Sequence, residues 1–383
     1  MNIIWFTWKD LDNPLAGGAE VVNEELAARL AADGHNVTFL TSGFPGAAPS
    51  VTRRGFDIVR TGKRFTTYLT SGLHFLRHRA ELAPDLVIDE CNTMPYFAGR
   101  YSGVRTVMFF HMLCREIWFY EFPRALAAIG WVIEPIYLRL LKPTDEVITV
   151  SESTRQDLVR HGFRSSKISI ISEATHLAGI ADLAASRKYP EPTMLAHGSV
   201  RPMKRTLDQV KAFEIAKRSI PNLKLIVSGD YSGAYGSKVF EYCRTSRFAA
   251  DILVLGRTSD AQKRELMERA HVIAVTSVKE GWGLIVTEAA SQGTPAVVYD
   301  VDGLCDAVQD GRTGIVTRRN TPAALAEAVV KLLSDSETYA NYRRQGWQWS
   351  KELTFDRSYA EFIAALGIRA ERDAVDSALA NNC

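Results

Sequence analysis

The strongest constraint on the fold is a repeated alternation. Short β-branched or aromatic apolar runs recur, each followed by a segment with helical spacing. In the first half they are Ile3–Trp8, Val37–Thr41, Leu86–Asp89, Thr106–Phe110 and Val147–Val150. In the second they are Thr193–Ala196, Leu223–Ser228, Ile252–Leu255, Val272–Thr276 and Ala296–Tyr299, spaced by helix-sized stretches such as Thr206–Arg218 and Ser259–Arg269. Apolar runs without clean polar alternation suit parallel strands covered by helices on both faces. Between the halves, Ala178–Pro192 holds Arg187, Lys188, Pro190 and Pro192 without a strong period and reads as a linker. The expected architecture is α/β: two Rossmann-like domains, 1–177 and 193–349, joined by 178–192. Open parallel sheets bind ligands beyond the carboxyl ends of their strands, so the site is expected in a cleft that the two domains face. The aromatic segment Tyr342–Leu366 is predicted to be helical and to cross the junction, with 350–370 returning to the first domain and 371–383 forming a flexible tail.

The 383 residues give room for two buried cores. Lys plus Arg at 46 against Asp plus Glu at 44 leaves +2, too balanced for the attraction that drives nucleic-acid binding. Five scattered cysteines with no C-x-x-C indicate neither a disulfide framework nor a zinc site. Ile3–Trp8 is cut short by Lys9 and Asp10 and reads as a strand, not a signal peptide. The most apolar region, Ala125–Leu141, is interrupted by Glu134, Pro135 and Arg139, short of the roughly 20 uncharged residues a span requires. A cytoplasmic protein is expected, peripheral on the inner face of the membrane.

The sharpest chemical signal is Glu280-Gly281-Trp282-Gly283-Leu284-Ile285-Val286-Thr287-Glu288, directly after the run Val272–Thr276. Its glycines let the backbone come close to a ligand, and a helix opening near Leu284 aims unpaired N–H groups and a positive dipole end at it, which suits a phosphate. Glu280 and Glu288 can accept hydrogen bonds from sugar or ribose hydroxyls. A second glycine turn, Ala16-Gly17-Gly18-Ala19-Glu20, opens the helix after the first strand and offers backbone amides, although the strict G-x-G-x-x-G fingerprint is missing. His197-Gly198-Ser199-Val200-Arg201-Pro202-Met203-Lys204-Arg205 follows the first strand of the second half; Arg201 and Lys204 are candidate cations for a departing diphosphate. His111 ends the run Thr106–Phe110, again at a carboxyl end. Ser151-Glu152-Ser153-Thr154 reads as a helix cap.

Gly-Gly-Ala-Glu at 17–20, Val-Ser-Glu-Ser-Thr at 150–154, a Gly-x-x-Arg-x-x-Lys loop at 198–204 and Glu280-x7-Glu288 together resemble the retaining GT-B glycosyltransferases of family 4. Gln292-Gly293-Thr294-Pro295 and Asp310-Gly311-Arg312-Thr313-Gly314 are similar to stretches that follow this motif in the family. The resemblance implies transfer from a nucleoside-diphosphate sugar, UDP- or GDP-linked, to a hydroxyl acceptor with retention and without a metal or other cofactor. It implies that Glu280 holds the donor sugar and Glu288 the ribose. The region of Gly281, Trp282, Gly283 and Leu284 would bind sugar and phosphate, Lys204 the leaving diphosphate, and Gly17 and Gly18 that same diphosphate. Gly256 and Arg257 would lie near the base, and His111 near the sugar and acceptor. Two departures stand out. Ser199 replaces the family's arginine, leaving Arg201 as the nearest one, and Ser172-Glu173-Ala174-Thr175-His176 replaces Pro-Asn-Gly-Val-Asp.

Asp300-Val301-Asp302 has the form of a D-x-D metal motif; cationic residues and a helix dipole already serve the diphosphate, so no metal is expected there. On the acceptor side, residues 53–79 carry seven basic residues against Asp57, a local charge of +6. Residues 114–141 add Trp118, Phe119, Tyr120, Phe122, Trp131 and Tyr137. Both suit an anionic membrane surface and a lipid-linked or polysaccharide acceptor. A nucleotide-sugar epimerase and a catalytically weak partner subunit remain as alternative readings.

Overall fold

The computed structural model describes residues 1–141 and 146–368. It divides into two compact units, each built on one sheet. The strands of unit 1 are β1 (Asn2–Phe6), β2 (Asn36–Thr41), β3 (Ser50–Arg53), β4 (Phe56–Arg60), β5 (Leu86–Cys91), β6 (Arg105–Phe110), β7 (Glu146–Thr149) and β8 (Ile168–Ile170). Those of unit 2 are β9 (Thr193–His197), β10 (Lys224–Ser228), β11 (Ile252–Gly256), β12 (Val272–Val275), β13 (Ala296–Val298) and β14 (Gly314–Val316). The α-helices in chain order are α1 (Gly18–Ala32), α2 (Thr67–Leu82), α3 (Trp118–Glu121), α4 (Arg124–Leu141), α5 (Glu152–Arg160), α6 (Thr206–Ala216), α7 (Ala234–Thr245), α8 (Asp260–Arg269), α9 (Leu284–Ser291), α10 (Pro322–Ser334), α11 (Ser336–Ser350) and α12 (Phe355–Ala365).

Unit 1 holds Met1–Cys114, Val132–Ala174 and the described residues from Thr354 onward. Its sheet runs β3-β4-β2-β1-β5-β6-β7-β8, parallel throughout except for the antiparallel β3/β4 pair at one edge. β1 and β5 are central and almost wholly buried, which is why they read as unbroken apolar runs. Trp5 on β1 packs against Phe39 at 5.3 Å, Phe109 at 5.9 Å and Phe362 at 5.6 Å between ring centroids. Phe362 belongs to α12, so the last helix seals this core. Glu361 accepts hydrogen bonds from the Ser172 amide and hydroxyl, and Tyr359 donates to Asp33 at 2.6 Å.

Unit 2 holds Arg115–Trp131 and Thr175–Leu353. Its sheet is wholly parallel, in the order β11-β10-β9-β12-β13-β14. Leu195, Ile273 and Val298 line one face, while Met194, Val227 and Val297 line the other against α6 and α10. This is the two-domain Rossmann-like α/β arrangement expected from the alternation, with each of the ten apolar runs forming a strand. β3, β4, β8 and β14 have no counterpart among those runs, being short or at sheet edges with alternating exposure.

The details differ in three places. The segment expected as one helix from Tyr342 to Leu366 is two: α11 ends at Ser350, and the Thr354 hydroxyl caps α12 by accepting from the Arg357 amide at 3.2 Å. Arg115–Trp131, placed in the first domain by the sequence reading, groups with unit 2, where Glu121 accepts from the Met203 amide at 3.3 Å. The linker is tied down: half-buried Lys188 donates to the Glu268 carbonyl at 2.7 Å and to Thr294 at 2.6 Å, and the Tyr189 amide reaches the Arg269 carbonyl. The expected tail 371–383 lies outside the described residues.

Candidate active site

In unit 2 the two main motifs meet because their strands are neighbours. β9 and β12 pair directly, so the loop from His197 to Lys204 and the loop from Thr276 to Gly283 leave the carboxyl edge of the sheet side by side. They are stitched together by backbone contacts: Val278 N–H donates to the Met203 carbonyl at 2.8 Å, and Thr276 Oγ1 donates to the Lys204 and Arg205 carbonyls at 2.9 and 3.1 Å. Pro202–Lys204 forms a single 3-10 turn, followed by Arg205 in the left-handed region at φ 49°.

This stitching sets Lys204 against Glu280, Nζ to Oε1 at 2.5 Å, and the Ser277 hydroxyl donates to the same carboxylate oxygen. Glu280 is fixed at its backbone too, its N–H donating to the Asp302 carbonyl at 3.0 Å. Gly283 caps α9 at φ +100°, and a Cβ there would stand 2.9 Å from Leu304 Cδ2. Conformation and space therefore both require glycine at the point where the helix N–H groups begin. Trp282 stacks obliquely near Trp349 at 6.2 Å, and its buried indole N–H has no hydrogen-bond partner among the described residues. One turn into α9, Glu288 is buried and takes the Lys263 ammonium of α8 at 2.5 Å. Both carboxylates of the Glu-x7-Glu motif thus carry their own lysine.

The other predicted residues of this unit are distributed around that pair. Arg201 is exposed and lies 3.9 Å from Glu121, and Ser199 is exposed in the same loop. Gly256 adopts φ +67° beside Tyr231, its carbonyl accepting from the Gly229 amide at 2.7 Å, with Arg257 exposed next to it. Burial, reinforced by the Lys263 charge, pushes His197 down to about 4, so this imidazole is neutral near pH 7. Asp302 is paired with Lys279, and Asp300 Oδ1 faces the Cys305 thiol at 3.1 Å.

In unit 1, Gly17 caps α1, and its N–H is already given to Glu20 Oε2 at 2.6 Å; Gly18 opens the helix beside it. The capping glutamate is thus the acceptor of the Gly17 amide in this conformation. Glu20 also sits 3.2 Å from Lys9. His111, at the carboxyl end of β6, is buried with both ring nitrogens engaged: Nδ1 faces Glu173 Oε1 at 3.2 Å and Nε2 faces Asn23 Oδ1 at 3.1 Å. Burial would lower this imidazole, but the Glu173 hydrogen bond and the charges of Glu90, Glu173 and Glu20 lift it above its ordinary value.

Sequence reasoning missed Lys263, Ser277, Asn23, Glu90 and Glu121. Lys263 and Asn23 lie inside ordinary helical patterns, and Glu90 closes an apolar strand, so no local signal marks them; Ser277, three residues before Glu280, was within reach of a search around that glutamate.

Residues 183–349 match the family described as glycosyl transferases group 1, and residues 16–178 match glycosyltransferase family 4. This chain belongs to the glycosyltransferases. The glycosyltransferase is 23% identical over 389 residues to N-acetyl-alpha-D-glucosaminyl L-malate synthase of Bacillus anthracis, covering 92% of this chain and 93% of that protein. Other curated relatives are matched over only part of their length, one of them over 26%. Among solved structures, sucrose-phosphate synthase from Thermosynechococcus elongatus superposes with a TM-score of 0.79 at 18% identity, covering 94% of this chain and 96% of that one. An Anabaena protein in complex with UDP-glucose superposes with a TM-score of 0.71 at 14% identity over 95% and 99% of the two chains. These likenesses establish the GT-B fold of the glycosyltransferase.

Proposed function

We propose that this protein is a retaining, metal-independent glycosyltransferase that moves a hexose-type sugar from a UDP- or GDP-sugar to a hydroxyl acceptor. The observation that carries the reading is the Lys204–Glu280 pair held at the mouth of α9, with Glu288 one helical turn deeper. Glu280 keeps Oε2 for the donor sugar's hydroxyls, while Lys204 exchanges part of its contact with Oε1 for the diphosphate. The opening N–H groups of α9 and the Lys204 ammonium then carry the negative charge that develops as the anomeric C–O bond to phosphate breaks. The acceptor oxygen forms the new bond on the same face, and its proton passes to the departing phosphate oxygen. Glu288 accepts from the ribose hydroxyls. Arg201 adds a second cation in place of the arginine absent at Ser199. Gly256 and Arg257 lie near the base.

A lipid-linked or polysaccharide-precursor acceptor and a cytoplasmic, membrane-peripheral location accord with two amphipathic faces. Phe65 precedes α2, which exposes Leu69, Leu73 and Leu76 among the basic residues of 53–79, and α4 exposes Leu126, Ile129, Val132, Ile133, Ile136 and Leu140. No helix among the described residues is long and apolar enough to cross a membrane.

The test is metal-free incubation with UDP-, GDP-, ADP- and TDP-sugars, with and without a crude lipid extract, following nucleoside diphosphate release. Release from one donor, raised by extract and lost in Lys204→Ala, is the expected result; binding without release under every condition would count against transfer. Co-sedimentation with anionic vesicles at low salt tests the membrane face.

A further inference from the structure

Unit 1 contains a buried polar cluster at the carboxyl edge of its sheet that the transfer reaction just described does not use. It joins Lys9 after β1, Glu20 and Asn23 on α1, Glu90 on β5, His111 after β6 and Glu173 after β8. Burying this many ionisable groups is costly unless each proton has a defined place. The hydrogen bonds define it. Asn23 Nδ2 donates to Glu90 Oε2 at 2.7 Å, which turns the amide so that its oxygen, Oδ1, is the atom facing His111 Nε2. On the opposite side of the ring, Nδ1 faces the carboxylate of Glu173. Both ring nitrogens therefore look at acceptors, and a neutral imidazole, which has only one N–H, would leave one oxygen facing a lone pair. Glu90 Oε1 is buried 3.9 Å from His111 Nε2, placing a second carboxyl group on that side, with the Thr7 side chain as a further hydrogen-bonding neighbour of Glu90. The remaining charges of the cluster, Lys9 and Glu20, form a pair at 3.2 Å. The Phe109 ring packs on the imidazole at 4.5 Å, and Thr154 Oγ1 donates to the His111 carbonyl at 3.3 Å, so the ring is held in place.

We infer that Glu173 and the Glu90–Asn23 pair are positioning residues that lock His111 as a doubly protonated imidazolium, making this histidine a fixed buried cation and not a general base. Its role in turnover rests on the transferase reading, but its protonation does not. With both protons committed, His111 has no lone pair with which to take the acceptor's proton, and that proton must leave by another route. The imidazolium instead contributes a constant positive charge at the carboxyl end of β6.

The experiment is ¹⁵N NMR of the full chain labelled at histidine, with the His111 ring assigned by comparison with His111→Gln. Two protonated ring nitrogens at pH 7, with a titration midpoint above the ordinary imidazole value near 6.5, are expected. Glu173→Gln should move that midpoint down, with Glu173→Asp restoring part of it. With UDP-glucose, or whichever UDP- or GDP-sugar is turned over, the Glu173→Gln variant should lose turnover about tenfold per pH unit above its new midpoint, whereas in the native chain the same fall should begin only above its own higher midpoint; a merely structural defect would lower the whole profile evenly. One unprotonated ring nitrogen in the native chain at pH 7 would overturn the inference, because it would mean that a protonated Glu90 has turned the Asn23 amide around. So would a Glu173→Gln profile parallel to the native one. If no donor is turned over at all, the transferase reading fails while the NMR result still decides the state of His111.

Discussion

Lys204→Met removes the ammonium while keeping most of the side-chain volume. The Lys204 side chain is 26% exposed and its partner Glu280 12%, an environment between water and a dry interior. At an effective dielectric near 20, two unit charges about 4 Å apart interact by about 4 kcal/mol. Part of that is already spent on Glu280 in the ligand-free site, so only the increment that grows as the diphosphate departs bears on turnover. An increment of about 3–4 kcal/mol corresponds to a fall of about 10²–10³-fold in kcat, within the range measured for single transition-state donors. The assay is the initial rate of nucleoside diphosphate release at saturating donor, together with kcat/KM. Both should fall by the same factor, because the missing contact belongs to the transition state. The variant also leaves Glu280 facing only Ser277, so Lys204→Met combined with Glu280→Gln should recover stability without recovering turnover. Full activity in Lys204→Met, with activity lost in Arg201→Ala, would show that the principal cation has been misassigned.

Glu288→Ala should chiefly weaken donor binding, raising the donor KM about tenfold or more with a smaller change in kcat, as measured by donor titration. Gly283→Ala must take up φ +100° and push against Leu304, so it should cost about 1–3 kcal/mol of stability, visible in denaturant melts; an unchanged midpoint would contradict the cap geometry. Treatment with EDTA should leave donor turnover unchanged; rescue by added Mg²⁺ or Mn²⁺ would contradict the metal-independent reading.

The local pattern was sufficient wherever the physics is local. β1, β5, β9 and β12 are buried on both faces, so their sequences are continuous apolar runs that could be read directly. The edge strands β3 and β14 are half exposed, so no comparable apolar run marks them. The Glu-x7-Glu spacing and Gly283 announce a loop followed by a helix, because a tight turn needs glycine and a helical turn sets the reach between the two carboxylates.

Tertiary structure decided which charges meet. Glu280 and Lys204 are 76 residues apart and come together only because β9 and β12 are neighbours. Glu288 and Lys263 meet because α8 and α9 pack side by side. His111 acquires its two acceptors from α1 and from the segment after β8, 88 and 62 residues away in sequence. By itself the sequence determined the ten apolar strands, the fold class and the residue types available for phosphate and sugar chemistry, since these follow from hydrophobic period and backbone freedom. It could not determine protonation states or ion pairs, because these depend on through-space distance and burial, which exist only once the sheets have assembled.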